Sequence, residues 1–372
     1  MKKKILYIAP AHSIHTYRWT KFFANSGYEL FLISDKKPCY DFSFLTLFDL
    51  SEGNNKYTKF VFNLIKTIKI IKTINPDLIH AHCLLKLAWI PSLINYSPVI
   101  ITPWGDDLLN KRFTENKIIM FFSKIALKNS VFVTSDSYAL LDKAKELGAK
   151  NTELITFGVE KEKFYLIDES EKKKIREKYS IDEDSFVILS PRTLMPYYNI
   201  DIILDAFILL AKKYNNIELI ILNFGSDQIY EKYEKKLMDK KKSSNLSNKI
   251  KFLPKIDHHS INEIYNISNI MVSLPNTDGT PATFFEAMKT KCLVVCNNLN
   301  SYKNIFENNY DVSFIDKIDS NILSNKIEYI YNNKDKFDNI KENGLKTAQK
   351  NNFDEQMLKV NSIYQNIFIN KI

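Results

Sequence analysis

The sequence predicts an α/β protein made of two doubly wound halves, each a parallel sheet with helices on both faces. Three observations carry this. Short apolar runs without strict alternation recur along the chain, separated by stretches of helical spacing, the mark of parallel strands buried on both faces. The alternation pauses once, between about residues 158 and 184, and then restarts. Finally, 372 residues are too many for one ordinary core and suit two.

In the first half the strand-like runs are 4–9, 29–33, 78–81, 99–102, 131–134 and 153–156. Between them Phe60, Leu64, Ile68 and Ile71 recur at helical spacing, as do Tyr138, Leu141, Ala144 and Leu147 before Gly148. The densely charged stretch 161–178 has little apolar periodicity and reads as linker plus surface helix. The second half repeats the pattern with strands at 186–189, 218–222, 250–253, 270–274, 293–295 and 312–315. Helices are expected at 200–211 and 260–267, and a last one at 354–369. The domains expected are 1–164 and 165–350, with 351–372 a closing helix packed back on the first.

Composition narrows the function. Apolar residues make up 45% and charged residues 26%, which fills two cores and keeps a wet surface. Only 8 glycines argue against a phosphate site built from a glycine-rich loop. The net charge of +9 is spread in short lysine runs with no nucleic-acid motif, so no nucleic-acid partner is expected. Four cysteines show no metal-ligand spacing, and Cys292 and Cys296 suit one face of a buried strand. The apolar run 5–11 is broken by Tyr7 and Pro10, too short and polar for a signal peptide. No stretch reaches the ~20 residues of a membrane span. A cytoplasmic protein without a bound metal is expected.

The segment with most chemistry runs from Ser273 to Met288. It starts at the carboxyl end of a strand, where open α/β sheets bind ligands. Thr280 suits an N-cap and Pro281 the first helical position. The amides of Ala282, Thr283 and Phe284 would then face a ligand, and such a helix end holds phosphate by its N–H groups and dipole. Asp278 stands before this helix and Glu286 about a turn and a half inside it, so the two carboxylates can hold hydroxyls of two sugar rings flanking one diphosphate. An acidic cap and an exposed helix glutamate would give the same spacing.

The chain resembles the family 4 retaining glycosyltransferases of the GT-B fold, also called glycosyl transferases group 1. An acidic residue, seven intervening residues, then Glu-Ala-Met is the family's pattern, and here it is Asp278 to Glu286-Ala287-Met288. Other markers fall in order: Ser190-Pro-Arg192, Phe224-Gly225, Phe252-Leu253-Pro254, Phe157-Gly158-Val159-Glu160, the run 76–82 ending in His82, and Trp104-Gly-Asp-Asp107. The resemblance implies two Rossmann-like domains facing a cleft, the first binding the acceptor and the second a nucleotide diphosphate-sugar, which is substrate rather than cofactor. It implies that Glu286 holds the ribose, Asp278 grips the donor sugar and Arg192 neutralises the leaving diphosphate. Backbone from Gly279, Thr280, Pro281, Ala282, Thr283 and Phe284 would carry phosphates and sugar, with Gly225 nearby and Leu253 to Lys255 framing the base. It further implies retention of anomeric configuration without a catalytic metal. Two departures stand out: Tyr197, Tyr198 and Asn199 occupy the stretch where the family has lysine then glycine, and Trp104 stands where many members have a histidine.

On the acceptor side the candidates are His12 and His15 in the first strand-to-helix loop, His82, Trp104, Asp106 and Asp107. His82 is preferred to His80 because only the later residue reaches past its strand; a hydrogen-bonded structural histidine is the alternative. The two aspartates serve equally as helix caps. Residues 110–129 read as a basic amphipathic helix, with Ile118, Ile119, Phe122, Ile125 and Ala126 on one face and lysines around it. Such a helix either lies on an anionic bilayer, fitting a lipid-linked acceptor, or packs on its own sheet with lysines in water. The activity expected is hexosyl transfer to a glycan or lipid-linked acceptor in surface-glycan synthesis at the inner face of the cell membrane. The rivals are a nucleotide-sugar epimerase of the same fold and a non-catalytic sugar-nucleotide-binding subunit.

Overall fold

The computed structural model of the protein describes residues 2–52, 56–222, 231–254 and 258–370. The chain divides into two compact units, 1–157 with 354–372, and 158–353. In the first, the strands are β1 (Lys4–Ile8), β2 (Glu29–Ser34), β3 (Thr46–Asp49), β4 (Leu78–His82), β5 (Val99–Thr102), β6 (Phe132–Ser135) and β7 (Thr152–Leu154). Its helices are α1 (Ile14–Ala24), α2 (Lys56–Ile74), α3 (Ile90–Leu93), α4 (Asp106–Leu109), α5 (Lys111–Thr114), α6 (Lys117–Asn129) and α7 (Tyr138–Glu146). The described strands pair in parallel in the order β3-β2-β1-β4-β5-β6-β7.

The sheet is apolar on both faces, as its continuous runs demand. Leu6, Ile8, Ile79, Ile101 and Val133 pack with α2, α3, α6 and α7 on one side. On the other side His80, beside Tyr7, meets Trp19 of α1. The short edge strand β3 is half-exposed and is not among the strands expected from sequence. The single helix expected over 110–129 is two pieces, α5 and α6, because Asn116 leaves the helix to accept from the amides of Ile118 and Ile119 and restarts it as α6.

The second unit contains α8 (Glu169–Lys178), β8 (Phe186–Ser190), α9 (Ile200–Ala211), β9 (Ile217–Leu222), α10 (Glu231–Ser243), β10 (Ile250–Leu253) and α11 (His258–Ile267). After these come β11 (Ile270–Ser273), α12 (Ala282–Lys289), β12 (Leu293–Asn297), β13 (Ser313–Ile315), α13 (Ser320–Asn332) and α14 (Asp338–Lys350). The described strands are again parallel, in the order β10-β9-β8-β11-β12-β13. Two apolar clusters fill its faces, one around α9 and α13, the other around α11, α12 and both Cys292 and Cys296. Gly158, at φ +58°, lies against the backbone of Phe353, and Val159 exchanges backbone hydrogen bonds with Asn351 and Phe353.

The final helix, α15 (Phe353–Asn370), falls for nearly its whole length in the first unit. Its Tyr364 is fully buried against Tyr7, Trp19 and Phe23, with its hydroxyl 3.2 Å from that of Tyr7 and 2.5 Å from His80 Nδ1. Each sheet reverses its strand order once, at β1/β4 and at β8/β11. The loops leaving those four strands carry most of the candidate residues, which is where parallel sheets open a crevice.

Candidate functional site

In the second unit the loops after β8 and β11 hold Arg192 and Asp278, paired at 2.8 Å and both largely buried. Burial opposes the guanidinium charge, but Asp278 and then Tyr198 outweigh it and raise the Arg192 pKa, so the arginine is always cationic. Its Nη1 donates to Thr283 Oγ1 at 3.3 Å, in the first turn of α12. Its Nη2 donates to the Tyr198 hydroxyl at 2.7 Å, and the guanidinium lies 4.2 Å from the Tyr198 ring centre. The residue standing in the lysine's stretch thus grips the arginine instead of adding a second charge.

The loops are stitched to each other. Asn199, held at φ 53°, donates from its amide to Leu274 O at 2.7 Å and Asn276 Oδ1 at 3.0 Å, and the Asn276 amide donates to Tyr197 O. A left-handed backbone is tolerated by Asn almost as by the glycine it replaces.

The helix start differs from expectation by one residue. Pro281, with φ −70° and ψ 125°, is the cap, and α12 opens at Ala282, while Thr280 is buried one place earlier. An extended ψ keeps the proline out of the helix, and a proline cap has no side-chain acceptor to offer the amides beyond it. The Ala282 and Thr283 amides have no carbonyl four residues back within the helix, whereas the Phe284 amide donates to Pro281 O at 3.1 Å. Phe284 is fully buried, so it anchors α12 in the core. The Gly279 amide donates to Asp278 Oδ1 at 3.0 Å.

Glu286, half-buried on the next turn, accepts from the Tyr265 hydroxyl at 3.1 Å. Burial and then the Glu286 charge push the Tyr265 phenol well above its ordinary pKa, so it stays a donor. Burial, then Asp278, do the same to Tyr302, whose hydroxyl finds no hydrogen-bond partner among the described residues. Leu253 is half-buried at the end of β10. Gly225 and Lys255 lie outside the described residues. Sequence reasoning missed Tyr265 and Tyr302 because a lone tyrosine carries no spacing signal; Tyr198 could have been found as the substitution for the expected lysine.

In the first unit the first turn of α1, the end of β4 and the loop after β5 bring His15, His82 and Trp104 together, so His15 falls inside the helix and not in the loop expected to hold it. The His15 ring lies 4.2 Å from Phe157 and 5.9 Å from Trp104, and His82 lies 4.7 Å from Trp19 and 5.9 Å from Trp104. His12 is exposed. His82 is buried, and neither ring nitrogen has a hydrogen-bond partner among the described residues; the same holds for Trp104 Nε1. Burial and then His15 lower the His82 pKa to about 3, so its imidazole is neutral. His80 is the structural histidine of the pair, bonded by Nε2 to Thr102 Oγ1 at 2.6 Å and by Nδ1 to Tyr364.

Asp107 does not stand at the cap of its helix. It lies buried inside α4 and accepts from the amides of Leu84 at 2.6 Å, Trp104 at 3.1 Å and Gly105 at 3.0 Å, tying two loops together. Burial raises its pKa to about 6, with the backbone N–H groups working the other way. The Asp106 side chain lies outside the described ones. Among the described residues no group of three or more His, Cys, Asp or Glu is placed to hold a metal ion, and no helix is long and apolar enough to cross a membrane.

Comparison with known proteins agrees with this geometry. Residues 4–137 match the family model for glycosyl transferase 4-like proteins, and residues 171–347 that for glycosyl transferases group 1. None of the curated proteins compared matches in sequence. Among solved structures, a sucrose-phosphate synthase from Thermosynechococcus elongatus is similar with a TM-score of 0.83 at 15% identity, covering 99% of this chain and 100% of its own. Anabaena HepE in complex with UDP gives 0.82 at 15%, covering 98% and 100%. A glycosyltransferase from Rickettsia africae gives 0.77 at 18%, covering 99% of each. At such identities the structural likeness concerns the fold, and the family rests on the two sequence models. With two parallel doubly wound units and these matches over most of its length, the chain belongs to the group 1 glycosyltransferases of GT-B fold, family 4-like, which use a nucleotide-sugar donor.

Proposed function

We propose that the chain transfers a hexosyl group from a nucleoside diphosphate-sugar to a glycan or lipid-linked acceptor, with retention and without a catalytic metal. The setting is surface-glycan assembly at the cytoplasmic face of the cell membrane. The observation that carries the reading is the convergence of Arg192, Asp278 and Thr283 on the first turn of α12. One cation, a helix end capped by proline and a carboxylate are what a diphosphate and an adjoining sugar require. The HepE structures that contain UDP and UDP-glucose supply a precedent for this donor class on a similar fold.

Arg192 meets the charge that grows on the leaving diphosphate as the sugar–phosphate bond breaks, and α12 adds its dipole. Asp278 exchanges part of its contact with Arg192 for donor sugar hydroxyls, and Glu286, oriented by Tyr265, receives the ribose. In the first unit, neutral His82 beside Trp104 and His15 receives the acceptor, with His12 at the rim. The test is a transfer assay across nucleotide-sugars and acceptors, with the anomeric configuration of the product read by NMR. A product of retained configuration supports the proposal. Donor interconversion without transfer would mark an epimerase, and nucleotide binding without turnover an accessory subunit.

A further inference from the structure

Two helices of the first unit carry lysine as their only charged residue. Helix α2 holds five lysines and α6 three, and neither contains an Asp or Glu. Both belong to the layer on one face of the sheet, with α3 between them in the same apolar cluster. Their inward sides are accounted for: Ile71 and Ile74 of α2, and Ala126 and Leu127 of α6, are buried. Their outward sides mix lysines with large apolar residues, where a solvated surface would be polar.

On α2, Phe62 is 54% and Ile65 61% exposed; on α6, Ile118 is 69% and Phe121 60% exposed. Ile118 is expected on one face with Ile119, Phe122, Ile125 and Ala126, but in the register that starts at the Asn116 cap it is exposed with Phe121 while Ala126 is buried. Each helix leads back to the start of the next strand, so its first turns stand at the end of the sheet where the strands finish. Ile118 and Phe121 lie in the first two turns of α6, and Phe62 and Ile65 in the second and third turns of α2. The exposed lysines Lys66, Lys69 and Lys72 follow on α2, and Lys124 and Lys128 on α6. Lys66 Nζ sits 4.3 Å from the Phe62 ring centre, so charge and apolar surface adjoin.

We propose that α2 and α6 together form a membrane-docking surface that inserts Phe62, Ile65, Ile118 and Phe121 among anionic lipid headgroups held by the flanking lysines. Apolar tips bordered by charge of one sign match a bilayer interface, which supplies negative charge and hydrocarbon but no fixed shape. A second copy of this chain fits badly, because a symmetric contact would bring lysine against lysine. The surface deepens the lipid-linked acceptor reading, and partitioning is measured without donor or acceptor, so failure of one is distinguishable from failure of the other.

The experiment is co-sedimentation of the full chain with vesicles of phosphatidylcholine, alone or mixed with phosphatidylglycerol, at low and high salt. The wild type should pellet with the mixed vesicles, stay in solution with neutral ones and be released by salt. The triple change Lys66→Gln, Lys69→Gln, Lys72→Gln should weaken partitioning about a hundredfold. Changing Phe62→Ser with Phe121→Ser should also lower it at low salt, with the unfolding midpoint kept because these positions are exposed. Equal binding to neutral vesicles, no binding to anionic ones, or unchanged binding by either variant would overturn the proposal. So would self-association, or capture of a protein partner, abolished by the same changes.

Discussion

At the scale of single residues, the proposed phosphate seat depends on Arg192 and what holds it. Arg192→Ala should lower kcat by about 10²–10³, the usual loss when one preorganised charge at a leaving group is removed. Glu286→Ala should act mainly on donor KM, by about tenfold to a hundredfold, because its hydroxyl contacts are present before and during the reaction. Steady-state kinetics with varied donor separates the two. Tyr198→Phe keeps the ring under the guanidinium and removes the 2.7 Å hydroxyl contact, so it should cost about 1–3 kcal/mol in kcat/KM. Tyr198→Ala should cost more, since the stacking goes too. Equal effects of the two changes would mean that the hydroxyl alone positions the arginine.

At the scale of elements, the helix α12 and the strand-end loops were readable because their signals are local. The acidic pair, the proline and the Glu-Ala-Met run lie within one short segment, and the strands around it are apolar runs. The exact cap was not readable, since Thr280 and Pro281 both suit a helix start and only the backbone angles choose. Nor were Tyr265, which donates to Glu286 from another element, Tyr302, buried where it feels the Asp278 charge, or β3, a short edge strand with half-exposed residues. The segment at Gly158 makes a prediction of its own. Its φ of +58° suits glycine, and a Cβ there would lie 2.8 Å from the Phe353 backbone. Backbone cannot swing away as a side-chain end can, so Gly158→Ala should destabilise the second unit by about 2–4 kcal/mol, read by thermal or denaturant unfolding.

For the molecule as a whole, the two-unit fold was legible because parallel sheets announce themselves twice in the same alternation. The closing helix and its return to the first domain are expected from the sequence and the resemblance, but its individual contacts are not, since Tyr7, His80 and Tyr364 join residues hundreds of positions apart. Buried titrating groups set the pH dependence. His82 (about 3, against 6.5) and His80 (well below 6.5) take up protons on unfolding, so the stability they allow above pH 6.5 is lost as the pH falls toward their folded values. Asp107 acts oppositely: its folded pKa of about 6 exceeds 3.8, so acidification through that window favours the folded state and offsets part of the loss. The unfolding midpoint should therefore drop between pH 7 and pH 4. In His82→Phe that drop should be shallower, and stability at pH 7 unchanged or higher, because two unpartnered ring nitrogens leave the core. Transfer activity should fall in the same variant; a fully active His82→Phe would remove this residue from the acceptor side.

The most direct measurement is calorimetric titration of the chain with each nucleoside diphosphate and its matching nucleoside, in wild type and in Arg192→Ala. One diphosphate should bind, the nucleoside alone should bind far more weakly, and the arginine change should weaken the diphosphate about tenfold to a hundredfold while sparing the nucleoside. Diphosphate binding of equal strength in both proteins would contradict a phosphate seat built from Arg192 and the start of α12.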